Sequence, residues 1–298
     1  MRKQDNDQVL KEKPGKTGAR TGKRAEPNPV APDADGEEQA GKAEAPFGTQ
    51  SLLRGLQIME TLSNFPNGCP LAKLVELCGM NKSTTHRLLQ GLQSAGYVTN
   101  APTPGSYRLT TKCVAVGEKA LSSLNIIHVA AHHLEALNIE TGETVNLSFR
   151  EGDHAILIYK LESTIGMIRT RAYIGQHLPM YCSGMGKIFL AYDHPAHVAR
   201  YWQEQRDSIV PLTPSTITDE PAMLDELAEI RKQGYALDRE ENGLGMWCIA
   251  APIFNIRQQA EYAVSVAVST ASLSPARKTE LIERVRQTAE QITKELAG

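Results

Sequence analysis

Between Leu52 and Thr110 the chain repeats one apolar pattern three times and then switches to another. SLLRGLQIMETLS (51–63) sets Leu52, Leu53, Leu56, Met59 and Leu62 at helical spacing. PNG at 66–68 signals a turn. Pro70 suits a first helical position, and LAKLVEL follows with Leu71, Leu74, Val75 and Leu77. Gly79 breaks that helix. Asn81 can cap a third one, which keeps Leu88, Leu89 and Leu92 on one face and stops at Gly96. YVTN, APTPG and SYRLT then read as a strand, a loop and a return strand. Three short helices with a tight turn between the last two, followed by a hairpin, make a winged helix-turn-helix.

In that layout the third helix enters the major groove N-terminus first. Its leucines must face the other helices, so its polar front must face outward. The expected DNA-contacting set is Lys82, Ser83, Thr84, Thr85, His86 and Arg87, joined by Tyr107 and Arg108 on the wing. Lys82 and Arg87 can neutralise phosphates or reach guanine acceptors. Ser83 and Thr84 can donate short hydrogen bonds near a helix N-terminus whose dipole favours phosphate. A solvated helix face also carries charges, and for His86 alone that reading is the better one. For the set as a whole the turn, the apolar phase, the hairpin and the local positive charge agree on DNA contact. Residues 47–110 hold five Lys/Arg against two acids, whereas 111–298 hold eighteen against twenty-three. A basic small domain beside an acidic larger one points to a polyanion partner for the first alone.

The rest of the chain organises around this unit. Residues 1–46 carry almost no large apolar groups and are expected to form a disordered tail. The winged domain is assigned to 47–110 and a linker helix to 111–124, with an effector domain over 125–298. Within the last, a helix through HVAAHHLEALNIETG precedes strands TVNLSF and HAILIYKL and another strand over 166–173. GMGKIFLAY begins a helix. TDEPAMLDELAEIRKQGYA reads as a capped amphipathic helix with Leu224, Leu227 and Ile230 inward. CIAAPIF and YAVSVAVST are strands, the first near an edge because of Pro252. A last helix from Pro275 keeps Leu281, Val285, Ala289, Ile292 and Leu296 on one stripe. Strands and helices mix without a βαβ series, so the expected class is α+β with an antiparallel sheet.

Several function classes find little support. No run approaches the roughly 18 apolar residues of a bilayer span. MRKQDNDQVLKEK lacks a signal peptide's apolar stretch, so a soluble cytoplasmic protein without membrane contact is expected. Five cysteines without a C-x-x-C pair argue against a disulfide framework or a cysteine-rich zinc site. YCSGMG is no nucleophile elbow, because Tyr181 stands where glycine is needed, and Ile188 breaks the P-loop pattern. Cys182 near His177 lacks a group to orient the imidazole. His128 and His132 are four apart on one helix, but no third ligand is evident. No metal, cofactor or catalytic residue is expected. An enzyme or storage protein with an incidental helix-turn-helix remains the competing class.

LLRGLQIMETLS, LAKLVELCGMNKSTTHRLLQGLQSAGYV and YRLT resemble the DNA-binding half of IclR-type bacterial transcription regulators. IGQHLPMYCSGMGKIFLA, IRKQGYALDREENGLGMWCIAAPIF and AVSVAVST resemble that family's effector-binding half. Inside the family, SLNIIH, HLEALN, DHAILIYKLE and YIGQH are most like a repressor of a carbohydrate-acid (diketogulonate) utilisation operon. The resemblance implies a homodimer or homotetramer, a palindromic double-stranded operator and a GAF-like ligand domain. By position it puts the effector pocket on Met167, Thr170, Leu178, Gly184, Met185, Asp238, Cys248 and Ser265. The family often has a second serine two residues after Ser265. Ala267 stands there, and Ser269 is the candidate replacement on the same strand face.

The residues themselves suit an anion. Small groups in YCSGMGK let main-chain N–H groups near Ser183, Gly184 and Met185 approach a carboxylate at a helix start. The competing explanation is a tight strand-to-helix turn. Asp238 can accept ligand hydroxyls or pair with Arg239 or another base. Cys248 can equally be a small buried apolar group. A sugar acid or keto acid is the expected effector.

Overall fold

The computed structural model describes residues 49–165 and 170–297. The expected tail at 1–46 and Met167 lie outside them.

The N-terminal unit is a winged helix-turn-helix. Helices α1 (Thr49–Ser63), α2 (Leu71–Cys78) and α3 (Lys82–Ser94) precede the wing strands β2 (Val98–Asn100) and β3 (Ser106–Leu109). A two-residue strand, β1 (Cys69–Pro70), pairs antiparallel with β3 and completes a three-stranded sheet. Pro70 is therefore not the first helical residue; it is extended (φ −62°, ψ 147°) and stands at the N-cap of α2. Ile58, Leu62, Leu74, Leu89 and Val98 are the centre of the core. The leucine stripe expected for α1 is split. Leu62 is buried beside Ile58, but Leu52, Leu53 and Leu56 are exposed. Helix α4 (Lys112–Ser122) follows and buries none of its residues, leaving Val114 and Val116 in solvent. The Lys112 ammonium ties its start to the wing domain, donating to the Ala95 carbonyl at 2.7 Å over the Tyr97 ring.

The C-terminal part centres on a six-stranded antiparallel sheet, in spatial order β6-β5-β4-β9-β8-β7. Its strands are β4 (Thr144–Glu151), β5 (His154–Leu161), β6 (His177–Leu178), β7 (Ala236–Arg239), β8 (Met246–Phe254) and β9 (Ala260–Ser269). Alternation assigns the faces. Val145, Leu147, Ile249, Ala251, Val264 and Val266 meet helices α5 (Asn125–Thr141) and α9 (Pro275–Ala297). Ala155, Leu157, Ala250 and Ala263 meet α6 (Gly184–Ala191), α7 (Pro195–Glu204) and α8 (Glu220–Gln233). The molecule is α+β, as the mixed element order implies.

Two expectations change here, three elements are added, and the placing of β8 near an edge holds. Residues 170–173 form no strand; only the short β6 pairs with β5 at that edge. Elements α7, β6 and β7 were not legible, being short or weakly patterned. On α8 the inward residues are Met223, Leu227 and Ile230, while Leu224 is 44% exposed. Strand β8 is second from the edge, and Pro252 lies beyond the stretch of it that β7 pairs, which ends at Ala250. Proline's missing N–H therefore costs no bond on that side.

Candidate functional sites: a helix front and a sheet-floored cavity

The front of α3 is built by its cap. Asn81 Oδ1 accepts from the Thr84 main-chain N–H and the Ser83 hydroxyl, each at 2.8 Å. Lys82, Ser83, His86 and Arg87 are exposed, and Thr84 is half-buried. Thr85 departs from the expected set. It is fully buried, and its hydroxyl donates to the Asn81 carbonyl at 3.0 Å. Its position, four residues before Leu89, puts it on the core face, so it anchors the helix and cannot reach a groove. Gly96 (φ 79°) ends the segment, with Tyr97 N–H on Leu92 O and Gly96 N–H on Gln93 O, a Schellman turn. On the wing Arg108 is exposed, whereas Tyr107 packs against the core as well as flanking the hairpin.

On its other face, the sheet floors a cavity of about 540 Å³ under α6. Its walls include Thr170, Leu178, Ser183, Gly184, Met185, Asp238, Cys248 and Ser265, all expected. Ala267 is also on the wall, but Ser269 is not among the lining residues. Ser269 ends β9, where the chain turns into a 3₁₀ turn at Thr270–Ser272, and its carbonyl accepts the Ser272 hydroxyl. Sharing a strand face with Ser265 is not enough once the strand outruns the cavity. Sequence reasoning missed Asn146, Arg171, Gln176 and Asn242. Asn146 had a signal: an amide, disfavoured in strands, placed between Val145 and Leu147.

The SGMGK turn divides its labour differently from the expectation. Ser183 caps α6: its hydroxyl donates to the Pro179 carbonyl at 2.6 Å and accepts the Gly186 N–H at 3.1 Å. Its own N–H also donates to the Pro179 carbonyl at 3.1 Å, so Ser183 has no proton left to donate to a ligand. A Cβ on Gly186 would fall 2.3 Å from Met180 Cα, so this glycine serves packing. One on Gly184 would meet the Ala250 Cβ at 3.3 Å, a close helix–sheet approach. Lys187 is fully buried, bound to Glu241 Oε1 (2.6 Å), the Leu237 carbonyl (2.6 Å) and Glu226 Oε1 (3.1 Å). It locks α6 to α8 and to the turn after β7. The main-chain N–H groups of Gly184 and Met185, first in the helix, have no intrahelical acceptor and sit at the cavity wall.

Asp238 and Arg171 are the charged side chains among the described lining residues. Asp238 Oδ1 accepts the N–H groups of Glu241 (2.7 Å) and Asn242 (3.3 Å). It does not pair with Arg239, whose guanidinium binds Glu226 at 3.1 Å. Burial pushes the Asp238 carboxyl up to about 7, outweighing the two N–H donors; the Glu241 charge adds to the rise. Burial, and then the Asp238 charge, raises the Cys248 thiol well above the usual range. Cys182 is likewise pushed up to about 12 by burial, which removes it as a nucleophile. His132 meets His133 and Glu295, rather than His128, their ligand atoms lying within 4.8 Å of one another on the surface. His133 Nε2 is 2.9 Å from Glu295 Oε2, within hydrogen-bonding distance. No described helix is long and apolar enough to cross a membrane.

A winged helix with an outward basic front, followed by a helix-flanked antiparallel sheet over a cavity, defines a class. Residues 51–102 match the family profile "IclR helix-turn-helix domain", and 118–294 match "Bacterial transcriptional regulator IclR C-terminal". The chain belongs to the IclR family of bacterial transcriptional regulators. It is 63% identical over 259 residues to the DNA-binding transcriptional repressor YiaJ of Escherichia coli K12, covering 87% of this chain and 92% of that protein. A crystal structure titled transcriptional regulator YaiJ is 59% identical, with a TM-score of 0.57, covering 58% of this chain and 96% of that one. The Thermotoga maritima IclR crystal structure is 26% identical, with a TM-score of 0.70, covering 84% of this chain and all of that one. The curated relatives are named as regulators and repressors, not enzymes.

Proposed function

We propose that this protein is a cytoplasmic repressor of a carbohydrate-acid catabolic operon. It binds a palindromic double-stranded operator as a homodimer or homotetramer, and a small anionic sugar or keto acid in the cavity changes its operator affinity. The observation that carries the reading is the front of α3: Lys82, Ser83, His86 and Arg87 stand outward while Thr85 and Leu89 hold the helix from behind. Ser83 and Thr84 sit at the dipole-positive end, and Tyr107 and Arg108 bring the wing to the backbone. The division into a tail (1–46), a winged domain (47–110), a linker (111–124) and a GAF-like effector domain (125–298) is part of the proposal.

Oligomerisation has its own support. Helix α4 buries nothing, and Leu52, Leu53, Leu56, Val114 and Val116 leave large apolar groups in solvent on α1 and α4. Exposed large apolar groups on a helix that buries nothing support an association face. In the cavity, the free N–H groups of α6 suit the carboxylate, and Thr170, Asp238 and Ser265 suit its hydroxyls. Met167 belongs to the proposed lining by family position. Effector binding worth about 1–3 kcal/mol of coupling would bias one DNA-reading geometry.

The test is an electrophoretic shift with the promoter of the neighbouring operon. Specific affinity of about 10⁻⁸–10⁻¹¹ M is expected, against about 10⁻⁴–10⁻⁶ M for unrelated DNA. Lys82→Ala and Arg87→Ala should each weaken binding and lower the salt slope by about 1, with effector binding unchanged. Unaltered affinity in both variants would refute α3 as the reading helix.

A further inference from the structure

Buried polar atoms in folded proteins are almost always hydrogen-bonded, so the exceptions ask for a reason. Among the described residues three buried side-chain atoms lack a partner: Asn146 Oδ1, Thr170 Oγ1 and Glu241 Oε2. Glu241 already holds Lys187 through its other oxygen. The remaining two belong to the wall of one cavity.

They arrive there from different elements. Asn146 lies mid-strand in β4, with Lys160 of β5 and Ser265 of β9 as its register partners, so all three side chains share the cavity face of the sheet. Thr170 lies on the segment that leads to β6. Lys160 ties that segment to the sheet, its ammonium donating to the Thr170 carbonyl at 3.0 Å and the Ala172 carbonyl at 2.8 Å. The Thr170 hydroxyl is thereby held against the cavity with nothing bound to it. The lining is mixed: Leu157, Leu178, Met185 and Met246 offer no side-chain hydrogen bond of consequence, and the polar lining residues Arg171, Gln176, Asp238, Asn242 and Ser265 leave Asn146 Oδ1 and Thr170 Oγ1 unpaired. Folding alone gains nothing from Asn146 here. A leucine would fit a strand better and leave no amide oxygen unmet.

We propose that Asn146 is the specificity-determining residue of the cavity: it selects an acid bearing hydroxyl groups, one hydroxyl donating to Asn146 Oδ1 and another exchanging a hydrogen bond with Thr170 Oγ1. This rests on the reading of the cavity as the effector site. The opposite amide orientation, with Nδ2 donating to the hydroxyl oxygen, performs the same selection. A cavity of about 540 Å³ has room for a six-carbon chain between this station and the N-terminus of α6. A hydroxyl-free acid would satisfy the helix end and leave both oxygens unmet, which is how a polar site rejects an analogue lacking the group.

The experiment uses the full chain and isothermal calorimetry. The probes are gluconate, gulonate and galactonate, with hexanoate as the hydroxyl-free acid. Wild type is expected to bind at least one aldonate more tightly than hexanoate. Asn146→Leu should lose about tenfold or more for that aldonate and keep or improve its hexanoate affinity. Thr170→Val should shift in the same direction. Thermal unfolding of ligand-free Asn146→Leu should occur no lower than wild type, because no native bond is lost. An aldonate affinity within about twofold of wild type in Asn146→Leu would overturn the proposal while sparing the effector site. So would hexanoate binding as tightly as the aldonates in wild type, or parallel loss of both acids with a lowered melting temperature. If wild type takes up none of the four acids, the effector-site reading falls, and this inference with it.

Discussion

Replacing Asp238 with asparagine should make the C-terminal domain more stable at high pH and change little at low pH. The carboxyl stands on β7 opposite Cys248, 3% exposed, with its Oδ1 on two N–H groups of the following turn. Burial raises it from 3.8 to about 7. A carboxyl whose folded value exceeds its unfolded one binds its proton more tightly in the folded state. Its contribution to stability is then fully present below the unfolded value and is lost as pH rises through the folded value. Some three units at about 1.36 kcal/mol each give about 4 kcal/mol as an upper bound. Asparagine keeps an oxygen for the Glu241 and Asn242 N–H groups and carries no charge. The variant-minus-wild-type difference should therefore grow between about pH 4 and 7 and level off above. Urea titrations followed by tryptophan fluorescence suit this measurement, because Trp202 and Trp247 are the only tryptophans and both lie in the C-terminal half. A difference that stays flat with pH, or that favours wild type increasingly as pH rises, would show the carboxylate to be stabilised by its donors rather than penalised by burial. The same sign governs ligand binding: a carboxylate effector should bind more weakly above about pH 7, and Asp238→Asn should flatten that dependence.

Further substitutions probe the packing of α6 beside the cavity. Gly186→Ala forces a Cβ to 2.3 Å from Met180 Cα and 2.7 Å from its carbonyl oxygen, so soluble expression should collapse. Gly184→Ala, whose Cβ meets the Ala250 Cβ at 3.3 Å and the Cys248 carbonyl oxygen at an ordinary 3.6 Å, should fold with a loss of about 1–3 kcal/mol by urea titration. Lys187→Met leaves Glu241 and Glu226 without their buried cation and should cost about 3–5 kcal/mol. Adding Glu241→Gln should recover part of that loss in the same assay, as a double-mutant cycle would register.

The amino-acid order alone determined the winged unit, down to the Asn81 cap and the Gly96 stop, because caps, turns and helical period act within a few residues of each other. It determined the α+β class, the stripe of α9 and, through family likeness, most of the cavity wall. Tertiary structure decided which side chains those elements could spare. Thr85, in the middle of the polar front, turned inward, because a helix rotates about 100° per residue and the core claims one face. Leu52, Leu53 and Leu56 turned outward, since one short core could not cover the whole stripe. The SGMGK turn looked built for an anion, yet Gly186 answers to Met180, Ser183 to its own helix, and Lys187 to Glu241. Asn146 stood out in the sequence as an amide within a strand, but its place on the cavity wall was decided only when β5 and β9 came to flank it, from 14 and 119 residues further along the chain. Local interactions specify elements, but burial and the pairing of polar atoms depend on neighbours that are distant in sequence, and those exist only in the folded molecule.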